Sequence, residues 1–421
     1  MAMMPPLPVA IETDRLILRP FAPDDAPALY EAVVQSRERV GKWLPWVPFY
    51  TDQSAADAFI GRCRQHWHDA TELPFAIFDR ESGRFLGGIA VHATRLGGYP
   101  IRWDWGIFET GYWLREGTEG KGYMREAVRA IVRLVFQHFN ANKLALRCDS
   151  RNDASRHVAE SIGFHLDRLA RHDSIATDGS IRDTLFFSLL PDEAEQLIAS
   201  WGSERFKLIL PIDRAPREFE PQTESDVPVP EVALAFSSPV SIETPRLIVR
   251  PAMLDDAPAL LAAIERSRPE FTPWIRFARA IHTLEDAEQF CRQSMSSAAA
   301  RRRFDLHAFE RETGAFVGGG TFHNMNWLLP SVELGWWLDS GCTGRGYGQE
   351  IVRGLIDFVF NEWKVERAEA WCHAGNLTSR HLAARCGLIE EGIARSEYPD
   401  LSGRPADWAV SSLIASDRAL T

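Results

Sequence analysis

Residues 15–19, Arg-Leu-Ile-Leu-Arg, and 246–250, Arg-Leu-Ile-Val-Arg, each set a short apolar run between arginines and read as short strands. Each run is followed by the same six residues, Asp-Asp-Ala-Pro-Ala-Leu, at 24–29 and 255–260. Paired acids ahead of an apolar run predict a helix with an acidic first turn. Hairpins come next, with residues 75–79 and 85–91 flanking the turn 80–84, and 307–310 and 316–322 flanking 311–315. Strands at 107–114 and 332–338 then run into glycine-rich turns and amphipathic helices. In the first of these helices Ala127, Val128, Ile131, Val132, Val135 and Phe139 recur at helical spacing.

The chain therefore repeats itself. Ile-Glu-Thr-Asp-Arg-Leu at 11–16 returns as Ile-Glu-Thr-Pro-Arg-Leu at 242–247, an offset of 231 that also relates the two hairpin turns. After a loop near residues 95–105 the offset becomes 224, pairing Glu109 with Glu333, Gly120 with Gly344, Asn152 with Asn376 and Gly163 with Gly387. A period this long marks a duplicated domain, since solenoid units repeat every ~20–50 residues. The expected domains are 8–192 and 239–418. Between them, 193–238 reads as a Pro-rich linker, in which 206–212 could add an edge strand.

Length and composition agree with two packed domains: 421 residues, 45% hydrophobic and 25% charged. A net charge of −11 argues against general affinity for nucleic acid or anionic membrane. The six cysteines form no CxxC pair or zinc-like cluster, so reduced thiols and no metal are expected. The N-terminus lacks a basic start and a long apolar run, and a cytoplasmic protein is expected.

Candidate chemistry centres on the turns. Glu119-Gly120-Lys121-Gly122-Tyr123-Met124 follows a strand and opens a helix, as does Thr343-Gly344-Arg345-Gly346-Tyr347-Gly348. Glycines permit close backbone approach, and a helix start offers unpaired N–H groups at its positive dipole end, which together suit a diphosphate. Asn152-x-x-Ser155 and Asn376-x-x-Ser379 each open a short helix ending at Gly163 or Gly387. Helix capping is one reading of these asparagines and ligand binding another.

With these motifs the chain resembles the GNAT (GCN5-related N-acetyltransferase) superfamily, in its RimJ/RimL-like branch. The likeness is carried by the ETDRL and ETPRL openings, Trp43-Leu44-Pro45-Trp46, the GYWL and GWWL strands, the two glycine turns and the Asn-x-x-Ser segments. Glu119 and Thr343 stand where the family pattern has Gln or Arg, and Met124 where it has a small residue.

The resemblance implies an α/β chain of two tandem GNAT folds, each a mixed, mostly antiparallel twisted sheet flanked by helices. It also implies acetyl-CoA as donor, held by the turn residues, by Tyr112, Trp113 and Leu114, by Trp336, Trp337 and Leu338, and by Asn152 and Asn376. Ser155 and Ser379 would lie near the thioester sulfur, in an opening between the strands ending near Leu114 and Asp149 (Leu338 and His373 in the second copy).

Acetyl transfer to an amine needs a neutral nucleophile, a polarised carbonyl and a stabilised thiolate. Glu109 and Glu333 are the first candidates for the base, acting through water, with a structural pairing to Arg as the alternative. Asp167 and Glu391, each followed four residues later by Arg171 or Arg395, are second choices. Trp43 and Trp46, with Phe271 and Trp274 in the second copy, are expected to line the acceptor pocket or to pack in the core. Partners are then an amine-bearing peptide N-terminus or small molecule, with the halves paired as an intramolecular pseudodimer. A CoA-binding sensor with one or both halves silent is the competing reading.

Overall fold

The structure, a computed structural model, describes residues 3–93, 103–211, 217–218, 240–275 and 277–418. Most of the expected 95–105 loop and of the 193–238 linker lies outside them. The chain divides into two compact units, Met1–Ala170 with Ser174–Ser225, and Asp226–Thr421 with Arg171–Asp173. Among the described residues no helix is long and apolar enough to cross a membrane.

In the first unit the strands lie side by side in the order Lys207–Ile209, Ala10–Glu12, Leu16–Pro20, Glu72–Asp79, Phe85–Ala93, Ile107–Leu114, Lys143–Asp149, Ile181–Leu189, His165–Ile175. Each of these neighbouring pairs is antiparallel except that of Ile107–Leu114 with Lys143–Asp149. The second unit repeats this order from Ile242–Glu243 through Leu247–Pro251, Phe304–Glu310, Phe316–Asn326, Ser331–Leu338, Arg367–His373 and Pro405–Ile414 to Ile389–Pro399. Here too one neighbouring pair is parallel, Ser331–Leu338 with Arg367–His373. Each unit is thus the mixed, largely antiparallel α/β fold expected of it. Helix Pro191–Ser200, which crosses the expected boundary at 192, and strand Lys207–Ile209, within the stretch expected as linker, belong to the first unit.

Each sheet buries both faces. On one face helix Tyr123–Arg133 lays Ala127, Val128, Ile131 and Val132 onto the strands, and helix Tyr347–Asn361 does the same with Ile351, Val352, Leu355 and Val359. The other face is covered by helices Ala26–Gln35 and Gln53–Asp69, or Ala257–Phe271 and Leu284–Ala299.

The paired acids do more than charge a helix start. Asp25 and Asp256 are buried, and each accepts from a backbone N–H three residues earlier, that of Ala22 at 2.7 Å and of Met253 at 2.9 Å. Each also takes both terminal nitrogens of an arginine on the first long strand, Arg19 or Arg250. The acid thus ties helix to sheet, a packing role that periodicity does not reveal.

Candidate functional site

In both units the parallel pair separates part-way along. Ile107–Leu114 and Lys143–Asp149 are in register from Ile107↔Lys143 to Thr110↔Leu146, and no further among the described residues. The second copy stops at Glu333↔Glu369. Beyond that point Gly111–Leu114 remain paired to Phe85–Ala93 alone, so alternate backbone N–H groups point into a wedge. A side chain at Gly111 would meet open space there.

The glycine turn lies just past the wedge. Gly120, Gly122, Gly344 and Gly346 have φ of 71°, 78°, 76° and 82°, a left-handed backbone that L side chains rarely adopt. The second glycine of each pair is the helix N-cap and provides no side-chain cap, which leaves the first N–H groups of the helix available.

Arg15, from the ETDRL opening, locks this turn. Its Nη1 donates to the Lys121 carbonyl at 2.8 Å, its Nε meets Glu126 at 2.7 Å, and its guanidinium sits 4.8 Å over the Tyr123 ring. Arg246 repeats all three contacts with Arg345, Glu350 and Tyr347. Thr13 and Thr244 donate to the same two carboxylates at 2.6 Å. The repeated opening is therefore a clamp on the turn, a role the sequence reading did not assign.

Glu119 is paired with Arg39 at 2.6 Å, so its charge is matched locally. Lys121 Nζ donates to the Gly117 carbonyl. The Met124 side chain is buried in the core, and what it brings to the turn is backbone.

Asn152 and Asn376 both cap their helices, their side-chain oxygens accepting from the N–H of Ser155 at 3.1 Å and of Ser379 at 3.2 Å. The hydroxyls differ between copies. Tyr112, whose side chain faces the main core, places its hydroxyl 3.1 Å from Ser155 Oγ. Trp336 stands at the equivalent position of the second copy and has no hydroxyl to offer Ser379. Burial pushes the Cys148 thiol up to about 11, while a hydrogen bond with Ser155 works the other way.

Trp113 and Trp337 point to the opposite face of the sheet. Trp113 packs 5.9 Å from Trp46 and Trp337 5.7 Å from Phe271. Trp46 is half-buried against Tyr50 and Phe59, and Phe271 is buried, so both contribute packing. Trp43 is half-buried, whereas Trp274 is exposed.

Glu109 does find its arginine, Arg147 Nε at 2.8 Å, and beside it His92 Nε2 at 3.4 Å. Burial raises the Glu109 pKa, but His92 and Arg147 more than offset this and hold the carboxyl at about 2. Burial also disfavours charged His92, yet the hydrogen bond and charge of Glu109 leave its pKa raised. In the second copy Glu333 lies 3.1 Å from His323 and accepts from Asn324 at 2.7 Å.

Sequence reasoning missed His92 and His323, which sit just past the predicted strand ends at 91 and 322; their recurrence at offset 231 was the available signal. Asp167 and Glu391 lie elsewhere in the sheet. Asp167 takes the Ser188 hydroxyl with Lys143 3.6 Å away, and Glu391 takes Ser412 with Arg367 at 2.6 Å, a repeated cross-strand ion pair.

Comparison with known proteins matches both halves. The family description "Acetyltransferase (GNAT) domain" fits residues 15–165 and again 246–389. YdaF of Bacillus subtilis (strain 168) is 29% identical over 186 residues, 43% of this chain and 94% of YdaF. The ribosomal protein uS5-alanine N-acetyltransferase of Escherichia coli (strain K12) is 23% identical over 185 residues, 43% of this chain and 90% of that enzyme. Among solved structures, Mycobacterium smegmatis RimJ in complex with CoA-disulfide has 20% identity and a TM-score of 0.42, covering 48% of this chain and 99% of its own.

Proposed function

This chain belongs to the GNAT family of acetyltransferases and is an N-acetyltransferase, and from that premise we propose that each copy moves the acetyl group of acetyl-CoA onto a primary amine by direct attack in a ternary complex. The observation that carries the reading is that both copies keep one arrangement. A sheet splayed at a parallel pair opens beside a left-handed glycine turn clamped by arginine, with an Asn-capped helix bringing a serine to the wedge. These residues suit an elongated thioester with a diphosphate. A side chain at Gly120 or Gly344 would stand in open space, and the helix start presents N–H groups to anionic oxygens.

In the transfer the new N–C bond forms as the C–S bond breaks. Backbone N–H groups of Gly111–Leu114 polarise the carbonyl, and the Ser155 or Ser379 hydroxyl donates to the departing sulfur. The proton lost by the amine goes to the His–Glu pair, directly or through one water. Glu109, held at about 2, stays ionised, so the imidazole is the member that takes up the proton. The acceptor is a protein N-terminal α-amine or a small-molecule amine. The uS5-alanine acetyltransferase among the relatives supports the first.

CoA release from acetyl-CoA, measured against N-terminal peptides, aminoglycosides, polyamines and amino acids, tests the reading. Release with at least one class, abolished in the Ser155→Ala/Ser379→Ala double variant, supports it. Release with none, although CoA binds, overturns catalysis in favour of a CoA-binding module.

A further inference from the structure

The copies differ along the sheet face that carries Glu109 and Glu333. On strand Arg367–His373, Ala368 and Ala370 belong to the core beneath helix Tyr347–Asn361. Alternation therefore sends Glu369, Trp371 and His373 to the opposite face, which Glu333 and Trp337 share from the neighbouring strand. Trp371 Nε1 donates to Glu369 along that face at 3.2 Å. Rings continue outward from there. Trp274 lies 5.3 Å from His373, His373 6.1 Å from Trp408, and Trp408 5.6 Å from Tyr398, which in turn lies 6.0 Å from Trp371. Trp274, at the free end of this series, is 38% exposed.

Of these rings the first copy keeps one, Trp43, which stands at offset 231 from Trp274. At offset 224, Trp371, His373, Tyr398 and Trp408 correspond to Arg147, Asp149, Ser174 and Thr184. The strand register confirms the equivalence, because Asp149 faces Thr184 as His373 faces Trp408. Asp149 is bound by Arg151 at 2.7 Å, with Arg182 at 3.8 Å. Trp43 therefore lacks the histidine and second tryptophan that extend from Trp274, since Asp149 and Thr184 occupy those places. One copy thus presents ions and hydroxyls beside the wedge, the other a run of aromatic faces.

We propose that the C-terminal copy selects primary amines carried on a flat aromatic body, which stacks on the wall formed by Trp274, His373 and Trp408, while the N-terminal copy does not. This rests on the acetyltransferase reading above. Aromatic faces reward an offset or edge-on ring and give little to a hydrated polar chain. The chemistry is shared by a free arylalkylamine and by a peptide beginning with Phe.

The test uses the full chain with acetyl-CoA and three acceptors: 2-phenylethylamine, a Phe-initiated tetrapeptide and putrescine. The wild type is expected to favour one or both aromatic acceptors, and which of them it favours identifies the source. Trp274→Ala should raise KM for the favoured acceptor about tenfold and for putrescine far less, and Trp274→Phe should restore most of the loss. Ser379→Ala should remove turnover of the aromatic acceptor selectively.

Calorimetric titration of that acceptor onto CoA-loaded protein reads the wall without turnover and should show the same tenfold weakening in Trp274→Ala. Equal use of aromatic and aliphatic amines, or an equal loss for both in Trp274→Ala, overturns the proposal while leaving the acetyltransferase reading standing. Absence of CoA release with every amine overturns that reading instead, and calorimetry then still decides whether the wall binds aromatics.

Discussion

Replacing Glu109 by Gln removes one charge and keeps the shape of the side chain, so it isolates what the carboxylate does for His92. The two meet at 3.4 Å, with side chains 14% and 29% exposed. At that separation and with water-like screening, two unit charges interact by about 1.2 kcal/mol, roughly an eightfold change in a protonation equilibrium. Partial burial weakens the screening, so this is a lower bound. In Glu109→Gln the imidazole loses the charge that does most to raise its pKa, and burial and Arg147, which lower it, are then opposed chiefly by the charge of Glu72.

Proton NMR titration of the His92 ring, assigned by difference with His92→Gln, should therefore show the midpoint moving down. The acid limb of kcat for the first copy should move with it, and the plateau should fall because the base is weaker. Stability carries the same signature. Glu109, lowered from 4.5 to about 2, contributes about 3 kcal/mol that is fully present above pH 4.5 and lost as pH falls toward 2. His92, being raised, contributes stability present below its ordinary value and lost as pH rises through its folded one. Glu109→Gln should flatten both limbs. A His92 midpoint unchanged in the variant would refute the coupling, and a kcat limb lying in the carboxylate range would return the base role to a glutamate.

Further outcomes follow from contacts elsewhere. Tyr112→Phe removes the hydroxyl facing Ser155 and should lower first-copy turnover about three- to tenfold with CoA affinity unchanged, while Trp336→Phe should leave the serine step of the second copy intact; single-turnover assays in Ser379→Ala and Ser155→Ala backgrounds separate the two. Arg246→Ala unclamps the second turn and should weaken CoA binding several-fold by calorimetry, whereas Arg311→Ala, which breaks an exposed pair with Glu243, should not. Asp256→Asn leaves the Arg250 guanidinium without its buried counter-charge and should cost about 3 kcal/mol in denaturant unfolding of the second unit. Burial raises the Asp256 pKa, but bonds from His307, Arg250 and the Met253 N–H hold it well below the carboxylate range, so this contribution is present above the ordinary Asp value and lost in acid.

Periodicity and repetition made the architecture legible. Strands, hairpins and the amphipathic helix each carry a pattern that survives in both copies, and an offset of 231 or 224 aligns them. The glycine turns were legible because a left-handed backbone leaves a mark in residue type. Cross-strand chemistry left weaker marks. Whether Glu109 meets an arginine depends on a partner 38 positions away and on register, so sequence could offer the pairing only as an alternative. His92 lay one residue beyond the predicted end of its strand, and ends are where alternation carries least information.

The duplication supplies what a single copy could not, a comparison of equivalent positions under one fold. Where the copies agree, the contact is structural or belongs to the shared reaction: Arg15 and Arg246 on the turn, Asp25 and Asp256 tying helix to strand, His92 and His323 beside their glutamates. Some differences compensate. Arg115 meets Glu31 and Gln35 of the first helix, whereas at the equivalent position Asp339 meets Arg266, so the tether persists with its charges exchanged. The ring positions differ without such compensation: Thr184 and Ser174 do not rebuild what Trp408 and Tyr398 form, and the change runs along one face at the mouth of the wedge. A tether that drifts must restore itself to keep the fold, whereas a wall that drifts need only suit a different acceptor. The uncompensated differences therefore locate the divergence of the two copies in what they bind, and the compensated ones in how they stand.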